Sequence, residues 1–535
     1  MTNLDNAEKT QRRLSLYDHQ PNDQGQPNSL SSRVLENATS ALRSFEHTLL
    51  KWNVELRGIR RVEDDERQQI TWLAYAQVLV LWTSVNLVIN NVTLGMLGPT
   101  IYELSFTDSS ICASLGGFLG TLPVGWIATY GPVAGIRTMA VGRYAMGYWP
   151  SKLIVILNII VFLGYSLLVC IIGGQVLSAI SPRGGMSVVV GIVILAVITW
   201  AVTTFGIQVF HYYERYAFIP QLIVFSILYG VAAEKFDLQA PSVGNRATVT
   251  GNRLSFFSLC LSAAITYAGL AADFFVYWPA STSRKLIFAA TVAGLTFSFT
   301  FTFVLGAGLA SGINNDTSYA NAWTNGQGGS GSGALLVEAY AGSLGSFGKF
   351  CAVIAALGGI ANIVPSTYSS GIDFQLLGRH FSKVRRIVWN TVGVLIYAVC
   401  ALAGRNHLAQ IFTNFLALMG YWVAIWVAIL LEEFLLFRRQ PAGSIDIEGG
   451  GRRRLALDWT AWDDRGKLPI GIAALMAFLV GWAGAILCMA QAWYVGPIAR
   501  LVGEYGADMG NYVGFCWAAA VYPGLRWWEI RKWGW

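Results

Sequence analysis

The chain has 535 residues, of which 54% are hydrophobic and only 13% charged, with a mean hydropathy of +0.49 and a formal net charge of +7. A soluble domain carries about 25% charged residues, and a helix crosses a bilayer with about 20 apolar ones. The apolar residues here fall in blocks of that length, which excludes an ordinary soluble enzyme and predicts an all-α integral membrane protein embedded in the lipid bilayer. The positive charge reads as loop bias rather than nucleic-acid binding.

In chain order, residues 1–70 are polar and read as a disordered cytosolic tail without a secretory leader. Residues 41–57 fit either a short amphipathic surface helix or a loosely folded tail. About twelve spans follow, near 71–95, 106–128, 152–180, 187–206, 211–232, 256–279, 286–312, 346–372, 385–403, 408–431, 468–490 and 508–527. With the tail inside, 20 of the 37 Lys and Arg fall in the even-numbered loops and the C-terminal end, against 7 in the odd-numbered loops. That asymmetry predicts that both termini are cytosolic. The loop over 313–345 then lies outside, and its Asn315-Asp316-Thr317 triplet fits a glycosylation acceptor.

Two spans are interrupted in matching ways. Span 1 reads LVLWTSVNLVINNVTLGMLGP and holds Ser84, Asn86, Asn90, Asn91 and Gly95. Span 6 reads FFSLCLSAAITYAGLAADFFVYWP, with Thr266, Tyr267, Gly269 and Asp273 inside it. Glycine weakens a helix by about 1 kcal/mol relative to alanine, so a break near Thr266–Gly269 is cheap. A carboxylate at membrane depth costs roughly 2.5–3.5 kcal/mol, so Asp273 should face protein or a water-filled cavity, unless it sits at the helix end and reaches interfacial water. Interrupted helices five spans apart point to two five-helix repeats of inverted topology with a site between their first helices. The repeats cover 71–232 and 233–433. A cytosolic loop over 434–467 follows, and two additional helices with a short tail occupy 468–535.

Several polar residues could carry the chemistry of such a site. Ser84 and Asn86 offer donors and acceptors, or serve as interhelical glue. Glu214, in HYYERYAFIP, either pairs with Arg215 or is a half-buried acid that takes up a proton. Span 8 contains GGIANIVPSTYSSG, where Pro365 frees a backbone carbonyl among Asn362, Ser366, Thr367, Ser369 and Ser370. Glu432 and Glu433, at the end of span 10, read as solvated interface acids. The seven cysteines sit in apolar runs without CxxC, and the five histidines form no HExxH. They are packing residues and isolated histidines, so no metal or cofactor is expected.

Together the stretches TYGPVAGIRTMAVGRYAMG, HYYERYAFIPQLIVF, AADFFVYWPASTSRKLIF, ANIVPSTY and WYVGPIARLVGEYGADMG resemble the fungal purine–cytosine permeases of the nucleobase–cation symporter-1 family. The resemblance runs from about Trp82 to the C-terminus. It implies the five-plus-five fold with two extra helices and proton-coupled uptake of purines and cytosine at the plasma membrane. It also implies that Ser84 contacts the ligand, that Asn362 and Pro365 lie on the binding and gating stretch, and that Glu214 is the span 5 acid linked to transport.

The sequence departs from the family pattern at several points. Tyr165 and Val169 stand where the family has Trp and Asn on span 3. Tyr267 stands for the span 6 Trp, and Asn362-Ile363-Val364-Pro365-Ser366 for Asn-Asn-Ile-Pro-Asn. A tyrosine still stacks on a flat ring. Val169 and Ile363 supply no amide hydrogen bond, and an unpaired base edge costs about 1–3 kcal/mol per group. A vitamin or other less polar heterocycle is therefore the alternative substrate on the same fold, and a nutrient sensor without flux the alternative from another class. No nucleophile–base pair argues for an enzyme.

Overall fold

The computed structural model describes residues 58–181, 185–205, 207–324, 331–439 and 455–534. Helices stand at all twelve expected positions, numbered here in that order. Eight are long and apolar enough to cross a membrane among the described residues, or nine if the bent pair Trp72–Asn86 and Ile89–Thr100 is one span. Val188–Thr204 and Ile472–Cys488, spans 4 and 11, are shorter. Gly510–Trp533, span 12, carries Arg526, Glu529, Arg531 and Lys532. Length and composition thus qualify nine of the twelve.

The other spans are Phe106–Ala128 (span 2), Pro150–Ile180 (span 3), Ile207–Ala232 (span 5), Arg246–Ile265 with the 3-10 turn Thr266–Leu270 (span 6), and Arg284–Ser311 (span 7). Span 8 comprises Ser332–Gly358 and Ile360–Leu376, span 9 is Arg386–Gly404, and span 10 runs from Leu408 to Phe437 with two π-helical stretches. Packing follows the repeat. Span 1 packs on span 7 as span 6 packs on span 2, and span 4 packs on span 3 as span 9 packs on span 8. Spans 2 and 7 pack on each other, as do spans 3 and 8. Exchanging spans 1–5 with 6–10 leaves this pattern unchanged, as a pseudo-two-fold axis requires. Spans 11 and 12 pack on each other and on span 10, outside the repeat.

The outer surface is apolar in helical stripes, such as Ile111, Leu115, Phe118 and Leu119 on span 2 and Leu395, Ile396 and Val399 on span 9. Residues three and four apart share one helix face, and contiguous exposed apolar area of this extent marks a lipid-facing surface.

Three expectations are corrected. Residues 58–70 are packed rather than free tail: the Val62 amide donates to Gly135 at 2.8 Å and the Gln68 amide to Tyr277 at 2.8 Å. The expected helix over 41–57 lies outside the described residues. The 313–345 segment is largely helical, with Thr317–Thr324 and then Ser332 onward, bent where Gly345 takes φ 57°; its Gly and Asn content had read as irregular loop. Glu433 is fully buried, not solvated. Its carboxylate accepts from Arg438 Nε at 2.7 Å, Arg526 Nε at 2.9 Å and the Tyr522 hydroxyl at 2.8 Å. Span 12 covers the end of span 10 and brings the matching charge, a partner 93 residues away in sequence.

Candidate functional site

Span 1 breaks at Leu87 and Val88, where Leu87 takes ψ 68° and Val88 is extended, and its two halves meet at 59°. A break inside a membrane strands backbone groups that must find partners. The asparagines predicted here supply them: Asn91 Nδ2 donates to the Asn86 carbonyl at 2.7 Å and Asn86 Nδ2 to the Trp82 carbonyl at 3.3 Å. Each amide thereby uses its donor side. Asn86 Oδ1 and Asn90 Oδ1, with the hydroxyls of Ser84 and Thr93, are buried without a hydrogen-bond partner among the described residues.

Span 6 changes from α to 3-10 geometry at Thr266, inside the predicted stretch. Tyr267 lies in that turn, and its hydroxyl accepts from Asn362 Nδ2 at 2.6 Å. The same Nδ2 donates to the Val85 carbonyl at 2.9 Å, between Ser84 and Asn86. The Tyr165 hydroxyl on span 3 donates to the Ala263 carbonyl at 3.0 Å and lies 2.6 Å from Thr266 Oγ1. Spans 1, 3, 6 and 8 therefore meet at Val85, Tyr165, Tyr267 and Asn362, the elements from which the binding candidates were drawn. Asn362 Oδ1 and Trp82 Nε1 are buried there without a hydrogen-bond partner among the described residues.

The tyrosine rings touch each other, with centroids 5.7 Å apart at 40°. No flat ring fits between them until they separate. Val169 lies on the same side of span 3, and a methyl added at Gly359, the break in span 8, would press on it. Ser366 gives its hydroxyl to the Asn362 carbonyl at 3.0 Å, and Pro365 lies between them in Ile360–Leu376.

Beyond this aromatic layer lies a second polar cluster. Asp273 is buried and faces protein rather than interfacial water. Its Oδ1 accepts from the Thr138 amide at 2.7 Å and the Thr138 hydroxyl at 2.8 Å, and its Oδ2 from the Ser369 hydroxyl at 3.2 Å. Arg137 Nη1 donates to the Asp273 carbonyl at 3.2 Å and Nη2 to the Tyr368 hydroxyl at 3.1 Å. Asn158 Nδ2 bridges the Gly269 carbonyl at 3.2 Å and Asp373 Oδ2 at 2.7 Å. Gly269 admits no side chain, because a methyl there would overlap the Asn158 carboxamide oxygen. Sequence reasoning missed Asn158, Asp373, Arg137 and Thr138. A lone acid eight residues after Pro365 was the available signal for Asp373.

Glu214 lies on the helix Ile207–Ala232, but its side chain is outside the described residues. Asn315 is exposed just past span 7. Its neighbour Asp316 accepts from the Ser318 amide at 2.8 Å and pairs with Lys235 at 2.9 Å. Hydrogen bonds from Ser318 and Lys235 hold that carboxyl well below the usual carboxylate range. No group of three or more His, Cys, Asp or Glu that could hold a metal occurs among the described residues.

A bundle of broken, lipid-faced helices around a polar and aromatic centre defines a helical membrane transporter. Residues 61–500 match the family described as permease for cytosine/purines, uracil, thiamine, allantoin, and the chain belongs to that family. It is 35% identical over 488 residues to the purine-cytosine permease fcyB of Emericella nidulans, covering 90% of each chain. It is 33% identical over 518 residues to the vitamin B6 transporter TPN1 of Saccharomyces cerevisiae, covering 90% of this chain and 88% of that one. Among solved structures, Mhp1, a nucleobase-cation-symport-1 family transporter in a closed conformation with bromovinylhydantoin bound, aligns with a TM-score of 0.64 at 13% identity. The alignment covers 90% of this chain and 96% of that one, and it identifies the fold. The relatives are permeases and transporters, and the chain is a multi-pass transport protein rather than an enzyme.

Proposed function

We propose that this protein imports a flat nitrogen heterocycle of nucleobase size by proton symport across the plasma membrane, with both termini in the cytosol. The observation that carries the reading is the junction of Tyr165, Tyr267 and Asn362 beside the unpaired polar atoms of span 1. Two aromatic faces and a carboxamide suit a planar ring with polar edges. Parting of the two rings admits the ligand, and Pro365 with the Gly359 break lets span 8 bend to do so. Glu214 is the acid proposed to carry the coupled proton, with Asp273 the other candidate.

A second substrate reading follows from the chemistry of the unpaired groups. Asn86 Oδ1 and Asn362 Oδ1 accept only, and Val169 and Ile363 donate nothing. With two amide acceptors against the one indole donor, Trp82 Nε1, and a Ser84 hydroxyl that serves either way, such a site matches a ring bearing hydroxyl groups, such as the vitamin B6 named for the yeast relative, better than a purine edge that must also accept. Competition uptake with radiolabelled cytosine against adenine, pyridoxine and thiamine separates the two. Preferential inhibition by pyridoxine selects the hydroxylated pyridine; preferential inhibition by adenine selects the nucleobase. Accumulation that a protonophore leaves intact rejects proton symport, and absence of net flux for every compound leaves the sensor reading.

A further inference from the structure

Positive charge collects on an aromatic pair where the amino ends of spans 3 and 11 meet, the cytosolic side in the orientation proposed above. The two ends touch closely: a methyl at Gly147 would overlap the Pro469 carbonyl, and one at Gly471 the Met146 carbonyl. Tyr148 and Trp149 lie at this junction, edge to face at 5.5 Å. Lys152 Nζ, in the first turn of span 3, stands 5.3 Å from the Tyr148 ring centre and 4.3 Å from that of Trp149. The Arg465 guanidinium, from the loop before span 11, lies 4.8 Å from both. Arg143 is a third cation, 5.1 Å from Tyr148.

These cations differ in their partners. Arg143 has a counter-charge, Asp463 at 2.7 Å. Lys152 and Arg465 have no carboxylate partner among the described residues. The acids of the adjoining segments are engaged elsewhere. Asp464 accepts from the Gly466 amide at 2.9 Å and Asp458 from the Thr460 amide at 3.0 Å. Glu529 accepts from the Gly471 amide at 2.9 Å and pairs with Arg526 at 3.0 Å. The segment after span 8 adds more positive charge: a methyl at Gly378 would lie 3.7 Å from Lys152 Nζ, and the exposed Arg379, His380 and Lys383 follow it. Attraction to the ring faces holds each cation in place. Like charges this close repel, and an anion between them turns the repulsion into attraction.

The junction also faces lipid. Trp149 is 59% exposed, and indole rings favour the headgroup level of a bilayer. Two exposed apolar stripes run from it, Leu153, Ile156 and Ile160 on span 3 and Ile472, Met476 and Leu479 on span 11. A free phosphate would use the cations alone, whereas an amphiphile uses cations and stripes together. The cytosolic leaflet is the one rich in anionic lipid.

We infer that this corner binds an anionic phospholipid, its headgroup phosphate on Lys152 and Arg465 and its acyl chains along the two stripes. Snorkelling to the interface accounts for one cation at a helix end, not for two from distant parts of the chain on the same pair of rings. The site joins span 3, span 11 and the segment after span 8, so a bound lipid braces the end of the ten-helix core against the accessory pair.

The test uses the purified full chain in detergent and no substrate, so its outcome is independent of the transport reading and of the orientation. Native mass spectrometry with equal amounts of phosphatidylserine and phosphatidylcholine reads which lipid stays bound. A basic residue near an anionic surface is worth roughly a fivefold preference. The wild type should retain phosphatidylserine over phosphatidylcholine by roughly 25-fold, Lys152→Gln or Arg465→Gln should lose about fivefold, and the two together should bind both lipids alike. Arg531→Gln with Lys532→Gln, the cations on the tryptophans at the end of span 12, is the control and should keep the preference. A wild type without preference, or a preference that survives the Lys152 and Arg465 pair of changes, overturns the assignment. Inorganic phosphate that protects against thermal unfolding as well as phosphatidylserine does marks a free-anion site and overturns it too. Should the double variant not fold, Arg465→Gln alone, on an exposed loop, decides: an unchanged preference overturns the assignment. Lys152→Arg keeps the charge and should keep the preference; its loss there overturns a role based on charge.

Discussion

Tyr165 and Tyr267 meet ring to ring, where the proposed ligand would enter; the Tyr165 hydroxyl ties span 3 to span 6, and the Tyr267 hydroxyl ties span 6 to span 8. Replacing either with Phe keeps the face and removes a hydrogen bond worth about 0.5–1.5 kcal/mol; it should leave substrate affinity near wild type and lower the melting temperature slightly. The Ala variants should lose affinity severalfold in uptake assays, and wild-type affinity in them would rule out the stacking role. Glu433→Ala takes the shared carboxylate from Arg438 and Arg526 in a buried site and leaves Arg526 its pair with Glu529. Breaking such a network from one side costs about 3–5 kcal/mol, and thermal unfolding in detergent should show a large drop. The candidates on spans 1, 6 and 8 stood out in the sequence as polar residues in apolar runs, whereas Tyr165 and Val169 on span 3 came from the family resemblance alone. The significance of Asn158 and Asp373 was not, since each is one polar residue in a long helix and only the fold places them together.

At the scale of elements, the two breaks are held open by side chains rather than by glycine alone. Gly269→Ala should disturb the sixth span, because the added methyl meets Asn158 Oδ1; overpacking of this kind costs about 1–3 kcal/mol. Gly230→Ala, on span 5 with open space around it, is the control and should be neutral or gain about 0.5–1 kcal/mol from helix propensity. Equal melting temperatures for the two variants would contradict the crowding seen at Gly269. The interruptions of spans 1 and 6 were readable beforehand, since Asn, Gly and Thr clusters rarely sit inside an apolar run without a structural reason. The helix Thr317–Thr324 and the part of Ser332–Gly358 before the bend at Gly345 were not, because Gly- and Ser-rich sequence carries little helical signal and these segments are fixed by packing.

For the whole molecule, the charge asymmetry of the loops gives a testable orientation. Protease added to intact cells should cut within the 313–345 segment and spare an N-terminal tag; cleavage of the tag from outside would reverse the topology. An endoglycosidase shift abolished by Asn315→Gln would place the same segment outside by independent means. The repeat explains why the architecture could be anticipated from two interrupted helices, although the halves share no visible sequence pattern. It says nothing about spans 11 and 12, and there the unexpected burial of Glu433 arises.

That burial has a consequence for how the chain is made. Glu433 enters the bilayer with span 10, yet Arg526 is synthesised 93 residues later. At about 5–20 residues per second, translation leaves the carboxylate without that partner for on the order of 5–20 s. During that interval Arg438, five residues away, is its nearest counter-charge. A ribosome that stops before span 12 releases a protein with a complete transport core and an exposed acidic flaw, a ready mark for quality control.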